Sequence, residues 1–125
     1  MIIVVPGVTT QSVRAPQPVS LIDVAPTIAA LVGLNPPPGW QGHSMLDGTA
    51  RTVRSFADHG ATLLALRTGD KKVLVDEESD SVRVFDLSCD PAEQHDVAAR
   101  FPELARDGRT DLEGWVARQR RQVRR

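Results

Sequence analysis

Between Thr52 and Leu87 the apolar residues come in four short runs, Thr52 to Ala57, Thr62 to Arg67, Lys72 to Val75 and Val82 to Leu87. Runs this short, rich in β-branched residues and close to alternating, fit strands with one buried face better than helices. The separators, Thr68-Gly69-Asp70 and the acidic stretch Asp76 to Asp80, are compact turn sequences, so each strand must fold back on the one before it. The spacing predicts a small antiparallel meander with Leu64, Leu66, Leu74, Phe85 and Leu87 on one face. Such a face needs a cover. From about Pro102 onward Leu104, Leu112, Trp115, Val116 and Gln119 fall near one side of a helix, which Gly108 and Gly114 weaken by roughly 1 kcal/mol each relative to Ala. Asp90-Pro91-Ala92-Glu93 reads as a further helix start, with Asp90 at the cap, Pro91 at the first helical position and Glu93 reaching back.

The first 48 residues follow a different pattern. Ile2 to Val5 is a continuous β-branched run ended by Pro6-Gly7, as in a strand buried on both faces of a parallel sheet, yet no repeating strand-helix-strand units follow it. Val8 to Pro18 is polar and reads as a surface loop. Ser20-Leu21-Ile22-Asp23 fits a capping box, after which Leu21, Val24, Ile28, Leu31 and Val32 share a helical face until Gly33. Proline is tolerated only near a helix start, so Pro26 places the regular helix from Asp23. Asn35-Pro36-Pro37-Pro38-Gly39 ends the element and leads through Trp40-Gln41-Gly42 to a boundary near Gly48. The expected class is α+β: residues 1–48 a terminal strand and helix of an incomplete α/β layer, and residues 49–125 an antiparallel sheet with a C-terminal helix.

Composition narrows the functions. The 125 residues are 41% hydrophobic and 25% charged, with a net charge of −1, so no global field draws in nucleic acid or an anionic membrane. Neither class of partner is expected. The longest apolar stretches are short or broken by Pro26 and Gly33, which argues against a membrane span, and Met1 to Val5 has no basic region or cleavage site of a signal peptide. The compartment is left unassigned. Cys89 is the single cysteine and cannot form an internal disulfide or build a zinc site alone.

Two segments, in order, resemble one family. The first is Ser20-Leu21-Ile22-Asp23-Val24-Ala25-Pro26-Thr27, then Gly33-Leu34 and Gly42-His43-Ser44-Met45-Leu46; the second is Arg67-Thr68-Gly69-Asp70-Lys71-Lys72 with Phe85-Asp86-Leu87-Ser88-Cys89-Asp90-Pro91-Ala92-Glu93. They are similar to the S-x-x-D-x-x-P-T helix, the G-x-S-L segment, the R-x-G-x-x-K strand and the L-Y-D-L-x-x-D-P-x-E turn of sulfatases, in the alkaline phosphatase superfamily. Ile2 to Gly7 resembles the family's late core strand. The resemblance implies a C-terminal fragment of a sulfuric ester hydrolase: residues 1–48 end the core α/β domain and residues 49–125 form the C-terminal subdomain. It implies that the partner is a missing N-terminal sulfatase domain, and that a sulfate ester is a substrate only of the full-length parent. The family's nucleophile, a formylglycine made from a C-x-P-S-R motif, and its divalent cation, usually calcium, belong to segments upstream of those matched here. No catalytic residue, metal ligand or cofactor is therefore expected in these 125 residues, and the chain alone is expected to be inactive.

Two short segments imitate that chemistry. Cys89-Asp90-Pro91-Ala92-Glu93 superficially matches the formylglycine motif but has Glu93 where arginine is required. Asp58-His59-Gly60 matches a metal-binding triplet of the family but follows the helix that it should precede. At most, His59 and Arg67 border a substrate pocket. His43 and His95 read as solvated or capping residues, Ser20 and Ser44 as capping and turn residues, and Trp40 and Trp115 as packing anchors. The cluster Arg118, Arg120, Arg121, Arg124 and Arg125 complements a helix C-terminus. Two other readings remain open: a fragment of a related phosphonate or phosphate ester hydrolase, and a stand-alone interaction module binding through the strand Ile2 to Val5.

Overall fold

A computed structural model describes residues 4, 6–7, 11, 17–58 and 60–123. The four expected strands form, as β1 (Thr52–Asp58), β2 (Thr62–Thr68), β3 (Lys71–Asp76) and β4 (Ser81–Asp86). They make one antiparallel sheet in the order β1-β2-β3-β4. A 22-residue helix, Pro102–Val123, lies over β2, β3 and β4 and leaves β1 at its margin. Its Leu112 is fully buried against Leu64, Leu66, Val73, Val75 and Val84, with Leu104, Trp115 and Val116 packed around them. Gly108 lets the helix come this close: a Cβ there would lie 2.7 Å from Val73 Cγ2. Its cost in helix propensity is thus offset by packing.

The register corrects the expected sheet face. Leu66, Val73 and Val84 lie side by side, as do Leu64, Val75 and Val82, whereas Leu74 sits between Ala65 and Arg83 on the opposite face. Phe85 is also on that opposite face, paired with Lys72, and Leu87 lies beyond β4. Strict alternation decides the matter: in Val73-Leu74-Val75 only one parity can meet the helix, and two valines outweigh one leucine.

The helix expected at Asp90 is a turn. Glu93 adopts a left-handed φ of 57°, which ends any helical path, and the Asp90 carboxylate accepts from the amides of Gln94 (3.1 Å) and His95 (2.8 Å). Rather than reaching back to the cap, Glu93 accepts twice from Lys72 Nζ, at 2.7 and 2.6 Å. The chain then runs along β4, where the Val84 amide donates to Asp96 Oδ1 (3.0 Å) and the Val97 amide donates to the Val84 carbonyl (2.8 Å). A short 3-10 turn, Ala98–Arg100, leads into the long helix.

Upstream, a 3-10 turn at Leu21–Asp23 runs into the helix Val24–Leu31, with Pro26 in its first turn. These two helices are α1 (Val24–Leu31) and α2 (Pro102–Val123). Gly33, at φ 74°, closes α1, and the Leu34 amide donates back to the Ala29 carbonyl at 2.8 Å. The buried side of α1 is not the expected one. Asp23, Pro26, Thr27 and Ala29 are buried, while Leu21 (82% exposed), Ile28 (56%) and Val32 (63%) face outward and Val24 and Leu31 are half-buried. Polar anchoring of the 43–47 segment on the Asp23 and Thr27 side fixes this orientation. The strand expected at Ile2 to Val5 falls, apart from the exposed Val4, outside the described residues, as does most of the loop Val8 to Pro18. Among the described residues no helix is long and apolar enough to cross a membrane.

Candidate functional site

The densest polar cluster centres on Asp23, which is 2% exposed. A carboxylate this deeply buried requires donors, and Asp23 has three: the Ser20 amide at 2.6 Å, the His43 amide at 3.0 Å and the Arg51 guanidinium at 2.8 Å. The Thr27 hydroxyl donates to the Asp23 carbonyl (2.6 Å) and accepts from the Met45 amide (2.9 Å). Gly42 makes the approach feasible, since a Cβ there would lie 2.0 Å from the Ile22 carbonyl oxygen. The cluster thus joins the start of α1, the 42–46 segment and the strand-proximal Arg51. Sequence reading found the cap but not Arg51, 28 residues away.

Beside it opens a cleft of about 590 Å³ between this cluster, the start of β1 and the last turns of α2. Gln41 spans it, donating to Gln122 Oε1 (2.8 Å) and accepting from Gln119 Nε2 (3.1 Å). Arg51, Arg54 and Arg118 line it, but two of these are committed: Arg51 to Asp23, and Arg54 to Asp111 through two bonds of 3.0 and 2.7 Å. His43 contributes its backbone amide to the cluster and is among the residues that line the cleft. The arrangement holds elements together. Among the described residues no serine hydroxyl there is hydrogen-bonded to a histidine.

Of the two expected pocket residues, Arg67 is described and His59 is not. Arg67 lies half-buried on the sheet face away from α2, next to Lys72, with its Nε donating to the Gly69 carbonyl at 3.0 Å. His59 is outside the described residues, but its neighbour Asp58 pairs with Thr62, five residues and roughly 17 Å along β2 from Arg67. Cys89 is exposed in the turn after β4, its Sγ 3.6 Å from the Asp86 carbonyl. Among the described residues no three His, Cys, Asp or Glu side chains converge as a metal site. His95 is exposed near Asp90, and Ser44 caps the 3-10 turn Met45–Asp47.

Several carboxylates are held in the ionised form by turn and strand contacts. The Lys71 ammonium, 2.5 Å away, followed by the Ser88 hydroxyl, holds Asp86 down to about 2. The amides of His95 and Gln94 lower Asp90, and the Thr49 hydroxyl and amide lower Asp47. All three stabilise turns.

The sequence is 30% identical over 118 residues to arylsulfatase K of Mus musculus, a match covering 79% of this chain and 21% of that protein. The human arylsulfatase K is 30% identical over 105 residues, covering 69% of the chain and 20% of the relative. The structure of Ps i-CgsB in complex with k-i-k-neocarrahexaose superposes with a TM-score of 0.68 at 24% identity, over 79% of this chain and 24% of that one. This chain is the C-terminal portion of a sulfatase. BT1596, a 2-O GAG sulfatase, shares the fold at a TM-score of 0.62 and 18% identity, over 82% of this sulfatase portion and 25% of that chain. No family model matches the sequence. The sulfatase portion spans about a fifth of the length of the curated relatives it matches.

Proposed function

We propose that the whole protein is a metal-dependent sulfuric ester hydrolase and that these residues serve it as frame rather than as chemistry. The observation that carries this reading is the outward apolar face of α1 and its flanks, where Leu21, Ile22, Ile28, Val32 and Leu34 are all more than half exposed. Apolar side chains grouped this way mark a surface that another body covers. In this reading that body is the N-terminal sulfatase domain, which supplies the formylglycine, the divalent cation and the seat for the sulfate ester. Arg67, a cation on the sheet face that α2 leaves open, is the residue we retain as a border of the substrate pocket.

Assaying the purified chain with calcium and an aryl sulfate ester tests the division of labour: no turnover above the blank is expected, and turnover would overturn it. Reading the DNA upstream of Met1 tests the family role. An in-frame C-x-P-S-R segment is expected, whereas a long upstream stretch unrelated to any hydrolase argues for an independent module instead.

A further inference from the structure

The two edges of the sheet are treated differently. On β4, Asp96 and Val97 occupy the outer N–H and C=O of Val84, so that edge is partly closed to a further strand. On β1, no backbone hydrogen bond from any described residue reaches the outer edge, and the seven residues pair with β2 without a bulge, a proline or a lysine to discourage a newcomer. Ser55, Phe56, Ala57 and Asp58 are exposed, with Phe56 at 55%. Phe56, Trp115 and Val116 line an apolar hollow of about 300 Å³ at the margin that α2 leaves uncovered.

We propose that β1 is a self-association strand, through which two copies of this chain pair antiparallel about a two-fold axis at Phe56. The argument is self-complementarity. Centring the pairing on Phe56 sets that ring opposite its own copy, Arg54 opposite Asp58 of the second copy at both ends, and Ser55 opposite Ala57. Arg54, Phe56 and Asp58 all lie on the α2 side of the sheet, since they share register rows with Leu66, Leu64 and Thr62. The aromatic pair therefore falls between the two hollows, and each Asp58, which has no ion-pair partner among the described residues, comes beside an Arg54 that it shares with Asp111. Centring on Ser55 would set Arg54 against Phe56, and centring on Ala57 would set Phe56 against Asp58. Neither neutralises Asp58 with Arg54. The proposal concerns only residues of this chain and does not depend on the sulfatase reading.

Sedimentation equilibrium of the 125-residue chain tests it. A species of twice the 13.6 kDa chain mass is expected. Asp58→Arg should weaken its formation by about tenfold or more, because two attractions become two repulsions, while leaving unchanged the melting temperature measured at dilutions where both proteins are monomeric. Arg54→Asp should do the same to association, and the double variant Arg54→Asp/Asp58→Arg should restore it, an outcome that a merely structural role of Arg54 with Asp111 would not produce. A chain that stays monomeric at hundreds of micromolar overturns the proposal. So does a dimer that survives Asp58→Arg but is lost in Ile28→Asp, which would place association on α1.

Discussion

The two helices differ in what they do with their apolar side. α2 turns Leu112 and its neighbours onto the sheet and finishes a core from residues of its own chain. α1 buries Asp23 and Thr27 instead and turns Ile28 and Val32 to the outside. The meander with α2 is held by hydrophobic burial, whereas the α1 region is held by hydrogen bonds and one buried ion pair. An apolar stripe therefore records that a helix has a partner, without saying that the partner lies nearby in sequence.

Three outcomes would break or sharpen this contrast. The largest effect is expected from Leu112→Ala, which removes a fully buried side chain and should cost about 2–5 kcal/mol in denaturant unfolding. A loss below 1 kcal/mol would mean that α2 is not the cover of the core. A moderate effect is expected on acidification. Asp86 is held below its ordinary value, so its contribution is present above about pH 5 and is lost as pH falls toward about 2. Asp86→Asn should flatten that part of the thermal-stability profile, and an unchanged profile would remove the Lys71 contact from the account. The smallest effect belongs to Ile28→Ser with Val32→Ser, each expected within about 0.5 kcal/mol of wild type in the same chain. A loss as large as that of Leu112→Ala would show that α1's outer face already has a partner.

What could be read from the sequence was what is local. The four strands, the C-terminal helix and the turn glycines are specified by alternation, period and punctuation within windows of ten residues or so. Parity within Val73-Leu74-Val75 was not legible, because three apolar residues in a row suit either face until the neighbouring strands are in register. The Asp-Pro-x-Glu segment at Asp90 obeys the same local rules as a helix start, and it becomes a turn because Lys72, 21 residues earlier, takes Glu93. At the candidate site, the capping role of Asp23 was visible, but its pairing with Arg51 spans 28 residues and leaves no periodic trace. His59 and Arg67 are named as pocket borders on the family resemblance alone. The hairpin carries Asp58 and Arg67 to different ends and different faces of the sheet.

Gly42 has a consequence for how genetic variation in this chain should be interpreted. With the Ile22 carbonyl 2.0 Å from where a Cβ would sit, the smallest possible side chain collides with backbone, and backbone cannot swing aside as a flexible side chain can. Intolerance at this position would arise from geometry alone. A scan that scored every replacement there as damaging would be measuring the gap between two stretches of main chain, and reading such a position as a contact with substrate would mistake clearance for chemistry.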